Sequence, residues 1–170
     1  GRSTAMSASE AQRPGERRLD GGAPTASDAG LVFIGRIRTP FRERGACPKN
    51  VAESNAICRL ELEPRFAPAL DGLETASHVI VLYWLHDAAR DFLVQAPGHA
   101  PRPVGTFALR SPNRPNPIGL AAVPLLGVEG AVVTVRGLDC LDGTPLLDLK
   151  PYIARTDSHP AATLGWRDGE

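Results

Sequence analysis

Short runs in which large apolar side chains alternate with polar ones recur along this chain, and most of them end at a proline or a glycine. The run ICRLELE at 57–63 is the clearest case, because Cys58, Leu60 and Leu62 occupy every second position before Pro64. A period of two places successive side chains on opposite faces, as in a half-buried strand. Gly 17 and Pro 16 in 170 residues supply more turns than a helical bundle tolerates. The sequence therefore predicts a mainly β fold.

The number of these runs predicts about seven short strands with one or two short helices, arranged as a single sheet closed into a β-barrel. SHVIVLYWLH at 77–86 is almost entirely apolar, which predicts a strand buried on both faces. Glu129-Gly130 and Asp142-Gly143 lie between apolar runs and indicate hairpins. The segment DAARDFLV at 87–94 predicts a short helix.

Both ends of the chain are poor in large apolar side chains. Residues 1–29 are mostly alanine, glycine, serine, proline and charged residues, so we predict a disordered N-terminal tail, of which 1–5, before the only methionine, Met6, are a cloning remnant. Residues 30–156 are the predicted barrel domain. Residues 157–170 are a predicted C-terminal tail, which packs only if Trp166 finds a partner.

The overall charge excludes a global basic or acidic field, since 19 Lys and Arg balance 19 Asp and Glu. Cys47, Cys58 and Cys140 lie far apart without a C-x-x-C motif, which predicts free thiols rather than disulfides or a zinc site. No apolar run is long enough to cross a membrane, and no signal peptide pattern begins the chain. We therefore expect a soluble, cytoplasmic protein without a membrane partner.

RSPNRPNPIGL at 110–120 holds three prolines between two predicted strands. Prolines fix their own φ angles and restrict the residues before them, so this loop is expected to be stiff. A stiff loop holds Arg110, Ser111, Arg114 and Asn116 in place with little entropy left to lose on binding a polar ligand. The alternative is a proline-rich turn whose asparagines cap their own backbone and whose arginines face water.

GLDCLDGTPLLDLKPY at 137–152 is a second polar island, with Asp139, Asp142, Asp148 and Lys150. Asp148 and Lys150 share a strand face and could form only a surface ion pair. The histidines are scattered and no metal-ligand spacing is present, so no metal site is predicted. The sequence contains no P-loop and no G-x-G-x-x-G motif, and no pattern in it supports a hydrolase triad.

One stretch is locally basic. Five basic residues and a single acid, Glu43, lie between positions 36 and 49; the basic residues are Arg36, Arg38, Arg42, Arg44 and Lys49. Together with Arg102, Arg110 and Arg114, this stretch could follow a phosphate backbone, or it could be an ordinary solvated face.

Four islands in the same order closely resemble the TrmO family of tRNA methyltransferases. They are IGRIRTPF, SHVIVLYWLH, SPNRPNPIGL and LDGTPLLDLKPYI, and they span residues 31–153. The family usually has Pro-Arg-Gln where this chain has Pro48-Lys49-Asn50, and an aromatic residue is common where this chain has Asn113.

The resemblance implies a β-barrel homodimer that binds S-adenosylmethionine near the subunit contact and methylates N6 of threonylcarbamoyladenosine at position 37 of threonine tRNA. It implies a cofactor site made of Pro48, Lys49, Asn50, His86, Asp87, Arg110, Leu120, Gly137, Leu138, Asp139 and Cys140. We further assign Arg114, Asn116 and Lys150 to substrate binding.

S-adenosylmethionine carries a carboxylate and two cationic groups, so its site needs both signs of charge. Arg110 and Lys49 could face the carboxylate, and Asp139 or Asp87 the cations. The acylated acceptor nitrogen is a poor nucleophile and must lose a proton, for which Asp139 and His86 are the candidate bases. The alternatives are a regulatory barrel that binds S-adenosylmethionine without turnover, and a methyltransferase for another RNA or a small molecule.

Overall fold

The computed structural model describes residues 12–167, which form two compact units. The barrel unit comprises residues 30–86 and 118–158, and the small unit comprises residues 12–29, 87–117 and 159–167. The predicted barrel domain, 30–156, also included 87–117, which are most of the small unit.

Within the described residues the fold is mainly β, as predicted. The strands are β1 Arg17–Arg18, β2 Gly35–Arg38, β3 Ile57–Leu62, β4 His78–Trp84, β5 Phe92–Gln95, β6 Val104–Gly105, β7 Ile118–Glu129, β8 Val132–Arg136 and β9 Thr144–Pro151. The helices are α1 Ala154–Asp157 and five 3-10 helices, Arg44–Ala46, Val51–Glu53, Pro64–Leu70, Leu73–Thr75 and Thr106–Ala108.

The barrel unit is a closed barrel with the strand order β2-β3-β8-β7-β4-β9, and every pair of neighbours is antiparallel. The predicted closed β-barrel is therefore confirmed, with six strands in its wall. β7 and β8 form the hairpin predicted at Glu129-Gly130, and Gly130 has the positive φ of 59° that such a turn favours. Asp142-Gly143 forms a turn, but the strand after it pairs with β2 and β4 rather than with β8.

Inward-facing side chains from all six strands fill the barrel. The register places Ile37 opposite Leu60 and Val81 opposite Ala121, so apolar side chains meet across neighbouring strands. Burying each of the larger ones contributes about 1.5–3 kcal/mol relative to exposure. The fully buried members are Ile37, Cys58, Leu60, Val79, Val81, Val123, Val133, Val135, Leu138 and Leu146.

β4 does not have two buried faces. Val79, Val81 and Tyr83 point into the barrel and are buried, whereas Ile80 and Leu82 between them are only half-buried. Within a single copy of the chain the prediction of a strand buried on both faces is wrong, because the outward positions of β4 are apolar but only half-buried. Composition alone does not separate such a strand from one at the centre of a layered fold.

In the small unit, β1, β5 and β6 form a three-stranded sheet. β5 occupies part of the segment predicted as a helix, because its backbone pairs with β1 and β6. Of the predicted disordered tail, residues 1–11 lie outside the described residues, whereas Arg17–Arg18 form β1. Trp166 donates a hydrogen bond from Nε1 to the Ala108 carbonyl at 3.0 Å, so part of the predicted C-terminal tail is packed.

Candidate functional site

One end of the barrel holds a carboxylate in a defined position. The hydroxyl of Tyr83, on β4, donates a hydrogen bond of 3.1 Å to Oδ1 of Asp139. Tyr83 is 5% exposed, and its ring lies against the backbone of Gly119, its cross-strand partner on β7. A Cβ atom at Gly119 would lie 2.2 Å from Cε2 of the ring, so the ring can lie there only because position 119 has no side chain.

The turn at 137–140 carries Asp139 past the end of β8. Gly137 has a φ of 104°, which L side chains rarely adopt, and its N–H donates to the Ala56 carbonyl at 2.8 Å. The Ser54 hydroxyl donates to the Leu138 carbonyl at 2.7 Å, and the Thr39 hydroxyl donates to the Cys140 carbonyl at 2.8 Å. Two other segments therefore fix the backbone on both sides of the Asp139 carboxylate.

Two thiols within electrostatic reach of this carboxylate, those of Cys140 and Cys47, stay protonated at neutral pH. Burial raises the pKa of the Cys140 thiol to about 12, helped by the charge of Asp139. Burial also raises the pKa of the half-buried Cys47, with a further rise from Asp139 and an opposing effect from Arg44. Asp139 and Arg44 therefore both lie within electrostatic reach of the same thiol.

Part of the predicted Pro48-Lys49-Asn50 site caps a short helix. The Asn50 side chain accepts from the Glu53 N–H at 3.1 Å and donates to Oε1 of Glu53 at 3.2 Å. The Lys49 N–H donates to the other carboxylate oxygen of Glu53 at 3.2 Å. Lys49 itself is exposed. The chain just after this helix reaches the 137–140 turn through the hydrogen bond from Ser54 to the Leu138 carbonyl, and a cofactor site shared by 48–50 and 137–140 stays a prediction.

The proline-rich loop of the small unit is held by Arg114 from within it and by Arg90 from outside it. Nη1 of Arg114 donates to the carbonyls of Leu109 and Ser111 at 2.9 and 3.0 Å. Arg90 donates from Nε to the Pro115 carbonyl at 2.7 Å and from Nη2 to Oδ1 of Asn116 at 3.5 Å. The predicted substrate-binding residues Arg114 and Asn116 therefore make hydrogen bonds that order the loop.

Asn113, which departs from the family pattern, also orders this loop. Its side-chain oxygen accepts from the Ala89 N–H at 3.0 Å, and its carbonyl accepts from Nε2 of Gln95 at 2.8 Å. The Gln95 amide also donates to the buried Thr106 hydroxyl at 3.0 Å. An aromatic side chain at 113 could not accept the Ala89 hydrogen bond.

The remaining predicted residues are spread over both units. His86 is exposed just after β4, and Leu120 is exposed on the outer face of β7. Lys150 lies on the outer face of β9, where its ammonium group pairs with Asp148 at 3.2 Å, so the structure does not bring it to the inward-facing Tyr83. Asp87 and Arg110 are exposed residues of the small unit.

Sequence reasoning missed Tyr83, Ser54 and Arg90. Tyr83 lies inside an apolar run, which predicts only a side chain of the hydrophobic core, yet its hydroxyl positions the candidate base. The one available signal was Gly119, since a glycine inside a strand often marks a close approach by a neighbouring group. Ser54 and Arg90 bond to backbone carbonyls 84 and 25 residues away, which no local pattern indicates.

The sequence model of the tRNA-methyltransferase O N-terminal domain matches residues 36–158, most of the chain. The chain belongs to the tRNA-methyltransferase O family. The resemblance seen in the four sequence islands is thereby confirmed.

Relatives of this tRNA-methyltransferase O family member share both sequence and fold with it. The "Probable S-adenosyl-L-methionine-binding protein VirR" of Rhizobium radiobacter is 47% identical over 141 residues, which are 83% of this chain and 79% of VirR. An S-adenosyl-L-methionine-binding protein of Archaeoglobus fulgidus is 40% identical over 127 residues, 75% of this chain and 91% of the relative. The crystal structure of TrmO from Pseudomonas aeruginosa is 37% identical with a TM-score of 0.68, over 82% of this chain. This chain spans 62% of that TrmO chain.

Among residues 12–167, no helix is both long enough and apolar enough to span a membrane. In the same residues, no three His, Cys, Asp or Glu side chains come together in a group able to hold a metal ion.

Proposed function

We propose that this protein is an S-adenosylmethionine-dependent methyltransferase that methylates N6 of threonylcarbamoyladenosine at position 37 of threonine tRNA. Besides family membership, the proposal rests on one structural observation. The Tyr83 hydroxyl holds the Asp139 carboxylate at a barrel end where segments 47–54 and 137–140 meet. The names of the two relatives support S-adenosylmethionine as the methyl donor, and the match to the tRNA-methyltransferase O N-terminal domain supports tRNA as the acceptor.

The groups at this barrel end fit S-adenosylmethionine. The ligand presents a sulfonium and an ammonium, for which Asp139 offers a carboxylate, and it presents a carboxylate, for which the exposed Lys49 offers a cation. The buried Leu138 and the carbonyls of the 137–140 turn are fixed by hydrogen bonds from Ser54 and Thr39, so little ordering is needed on binding. When bound, S-adenosylmethionine supplies an electrophilic methyl group.

Asp139 serves this reaction by taking a proton. The Tyr83 hydroxyl fixes Oδ1, and Oδ2 accepts the proton of the acylated acceptor nitrogen as the methyl group arrives. Methyl transfer is an in-line displacement, so the rest of the rate enhancement comes from alignment of donor and acceptor. The buried, protonated Cys140 beside Asp139 adds no second negative charge at neutral pH.

The acceptor is tested with purified protein, labelled S-adenosylmethionine and threonine tRNA carrying or lacking the threonylcarbamoyl group. We expect label only on the modified tRNA. Label on unmodified tRNA or on another RNA would replace the proposed acceptor. Binding of S-adenosylmethionine without transfer to any RNA would indicate a regulatory barrel.

The base is tested by three substitutions with a matched control. Asp139→Asn keeps an acceptor for Tyr83 but cannot take a proton, so we expect single-turnover methylation to fall by about 10²–10⁴-fold. Tyr83→Phe removes the positioning hydrogen bond and is expected to give a smaller loss. Asp71→Asn is the control, because Asp71 is an exposed carboxylate after the 3-10 helix Pro64–Leu70 that the proposed chemistry does not use. A larger loss in His86→Asn than in Asp139→Asn would assign the base to His86 instead.

We also propose that the protein acts as a homodimer through the outer face of β4 and β7. Ile118 and Leu120 are 42% and 49% exposed, and the register pairs them with Trp84 and Leu82. Ala122 continues the apolar stripe. A second copy fits this face because an uncharged stripe on two antiparallel strands is self-complementary across a two-fold axis. The predicted cofactor residue Leu120 lies in the stripe, which agrees with a cofactor site near the subunit contact.

Leu120→Asp is expected to turn the dimer into a monomer in sedimentation experiments. Ile57→Asp is the control, since Ile57 is 58% exposed but lies on β3, on another part of the wall. A wild-type monomer at micromolar concentration would contradict the dimer and leave the methyl-transfer proposal standing.

A further inference from the structure

The outer face of β2, β3 and β8 carries a group of arginines that the proposed chemistry does not use. Arg36 and Arg38 of β2 and Arg59 of β3 are exposed, and Arg136 of β8 is half-buried. The residues between them in each strand point into the barrel. We call Arg36, Arg38, Arg59 and Arg136 the arginine wall.

Positive charge dominates this face. The eight outward positions of the three strands include the four arginines and one acid, Glu61, so the formal charge of the face is +4 − 1 = +3. Glu61 pairs with Arg38 at 3.2 Å. The whole chain has a formal net charge of +0, so the arginine wall is a local concentration of charge.

The strand register places two of these arginines in direct opposition. Arg38 on β2 lies opposite Arg59 on β3, and like charges in such cross-strand pairs destabilise a sheet. An anion bound between the two guanidinium groups relieves that repulsion. Arg136 lies on the next strand, opposite Ile57, one step along the same face.

The spacing of the arginine wall suits a polyanion rather than a single ion. Outward positions along one strand are about 7 Å apart, and neighbouring strands are about 4.8 Å apart. These steps are similar to the separation of successive phosphates along a nucleic-acid strand. Guanidinium groups also bind phosphate oxygens bidentately, which a lysine cannot do.

The basic stretch also leads from this face toward the candidate site. The exposed Arg42 and Arg44 follow directly after β2. Arg44 and Asp139 both act on the pKa of the Cys47 thiol, in opposite directions. The Thr39 hydroxyl, directly after β2, donates to the Cys140 carbonyl at 2.8 Å, so a strand of nucleic acid that follows β2 comes close to the turn that carries Asp139.

We propose that the arginine wall binds the phosphate backbone of the RNA substrate. This inference rests on the proposed function, since it assumes that the acceptor is an RNA. The contacts are with phosphates, so they position the RNA independently of its sequence, and the base at the reaction centre is selected elsewhere.

The test is a salt titration of threonine tRNA binding with the full chain. Arg59→Gln and Arg136→Gln are each expected to weaken binding about 3- to 10-fold and to lower the salt slope by roughly 0.7–0.9 for the lost phosphate contact. Glu61→Gln is expected to strengthen binding, which a folding defect would not do. Arg65→Gln is the control, because Arg65 is an exposed arginine that pairs with Glu63 at 2.8 Å outside the arginine wall.

The outcome separates this inference from the proposed function. S-adenosylmethionine affinity should stay at the wild-type value in Arg59→Gln, with methylation showing a raised KM for tRNA and an unchanged kcat. A lowered salt slope without methylation of the tRNA would support the arginine wall and contradict the proposed acceptor. Wild-type tRNA affinity and slope in the Arg59→Gln/Arg136→Gln double variant, or no tRNA binding by the wild type, would overturn the arginine wall.

Discussion

Replacing Gly119 with alanine is expected to disturb the candidate site from the neighbouring strand, without touching the carboxylate itself. The added Cβ would lie 2.2 Å from Cε2 and 2.5 Å from Cζ of Tyr83. Carbon atoms in contact prefer about 3.5–4.0 Å, so the ring must move by more than about 1 Å. Tyr83 is 5% exposed and inside the barrel, so the ring has little room to do so.

The cost has two parts. Forcing an extra carbon into a packed interior costs about 1–3 kcal/mol. The Tyr83 hydroxyl already lies 3.1 Å from Asp139, and a further displacement breaks that hydrogen bond, which costs another 0.5–1.5 kcal/mol or so. We therefore expect the free energy of unfolding to fall by roughly 2–4 kcal/mol, and S-adenosylmethionine binding to weaken as Asp139 loses its fixed position.

The assay is urea unfolding together with titration of S-adenosylmethionine, and the same strand supplies the control. Gly127→Ala adds the same methyl group to β7 at a position with nothing within 4 Å of the new atom. Its free energy of unfolding should change by less than about 0.5 kcal/mol. Tyr83→Phe, which loses only the hydroxyl, should fall between the two glycine variants.

Equal stability of Gly119→Ala and Gly127→Ala would refute this reasoning. So would a Gly119→Ala variant that is unstable but binds S-adenosylmethionine as tightly as the wild type, because Asp139 would then not depend on the placement of Tyr83.

Three other expectations can be checked on the same samples. The folded protein holds the Cys140 proton more tightly than the unfolded chain does, because burial raises the pKa of this thiol from 9.0 to about 12. The free energy of unfolding should therefore decline as the pH rises from 9.0 toward about 12. Unfolding followed at pH 8 and 10.5 should show a smaller decline in Cys140→Ala. Asp139→Asn should lower the pKa of Cys47 and speed its alkylation by iodoacetamide at pH 8, whereas an unchanged rate would mean that Asp139 does not act on that thiol. Asn113→Ala should lower the free energy of unfolding by about 1–3 kcal/mol, because the Ala89 N–H loses its acceptor. In thermal unfolding, Asn116→Ala should show a smaller loss, because the hydrogen bond of Asn116 is 3.5 Å long and exposed.

The strands of the barrel are predicted well because alternating apolar residues and turn residues are visible within short stretches of the sequence. β3 was found within one residue from its alternating pattern, and the β7–β8 hairpin was found from Glu129-Gly130. β5 was missed because it has only four residues and its pairing partner β1 lies more than seventy residues earlier. Phenylalanine and valine favour strands, but the pairing of so short a run depends on a distant segment that no local pattern indicates.

For the candidate site, sequence patterns found segments but not contacts. The Ser54 hydroxyl binds the Leu138 carbonyl of the predicted 137–140 segment, whereas the hydrogen bond that orients Asp139 comes from a tyrosine 56 residues away. The cofactor site shared by 48–50 and 137–140 stays a prediction. Asn113 looked like a departure from the family pattern, and its partners, Ala89 and Gln95, lie 24 and 18 residues earlier. Such roles depend on distances that only the folded chain establishes.

The closed strand order has a consequence for the newly made chain. β9 pairs with both β2 and β4, so it is the strand that seals the wall. Until residues 144–151 have left the ribosome, β2 and β4 each keep an open edge able to pair with another chain. We expect nascent chains stalled before Thr144 to aggregate or recruit chaperones, and chains released beyond Pro151 to resist protease, because the barrel can close only after β9 has been synthesised.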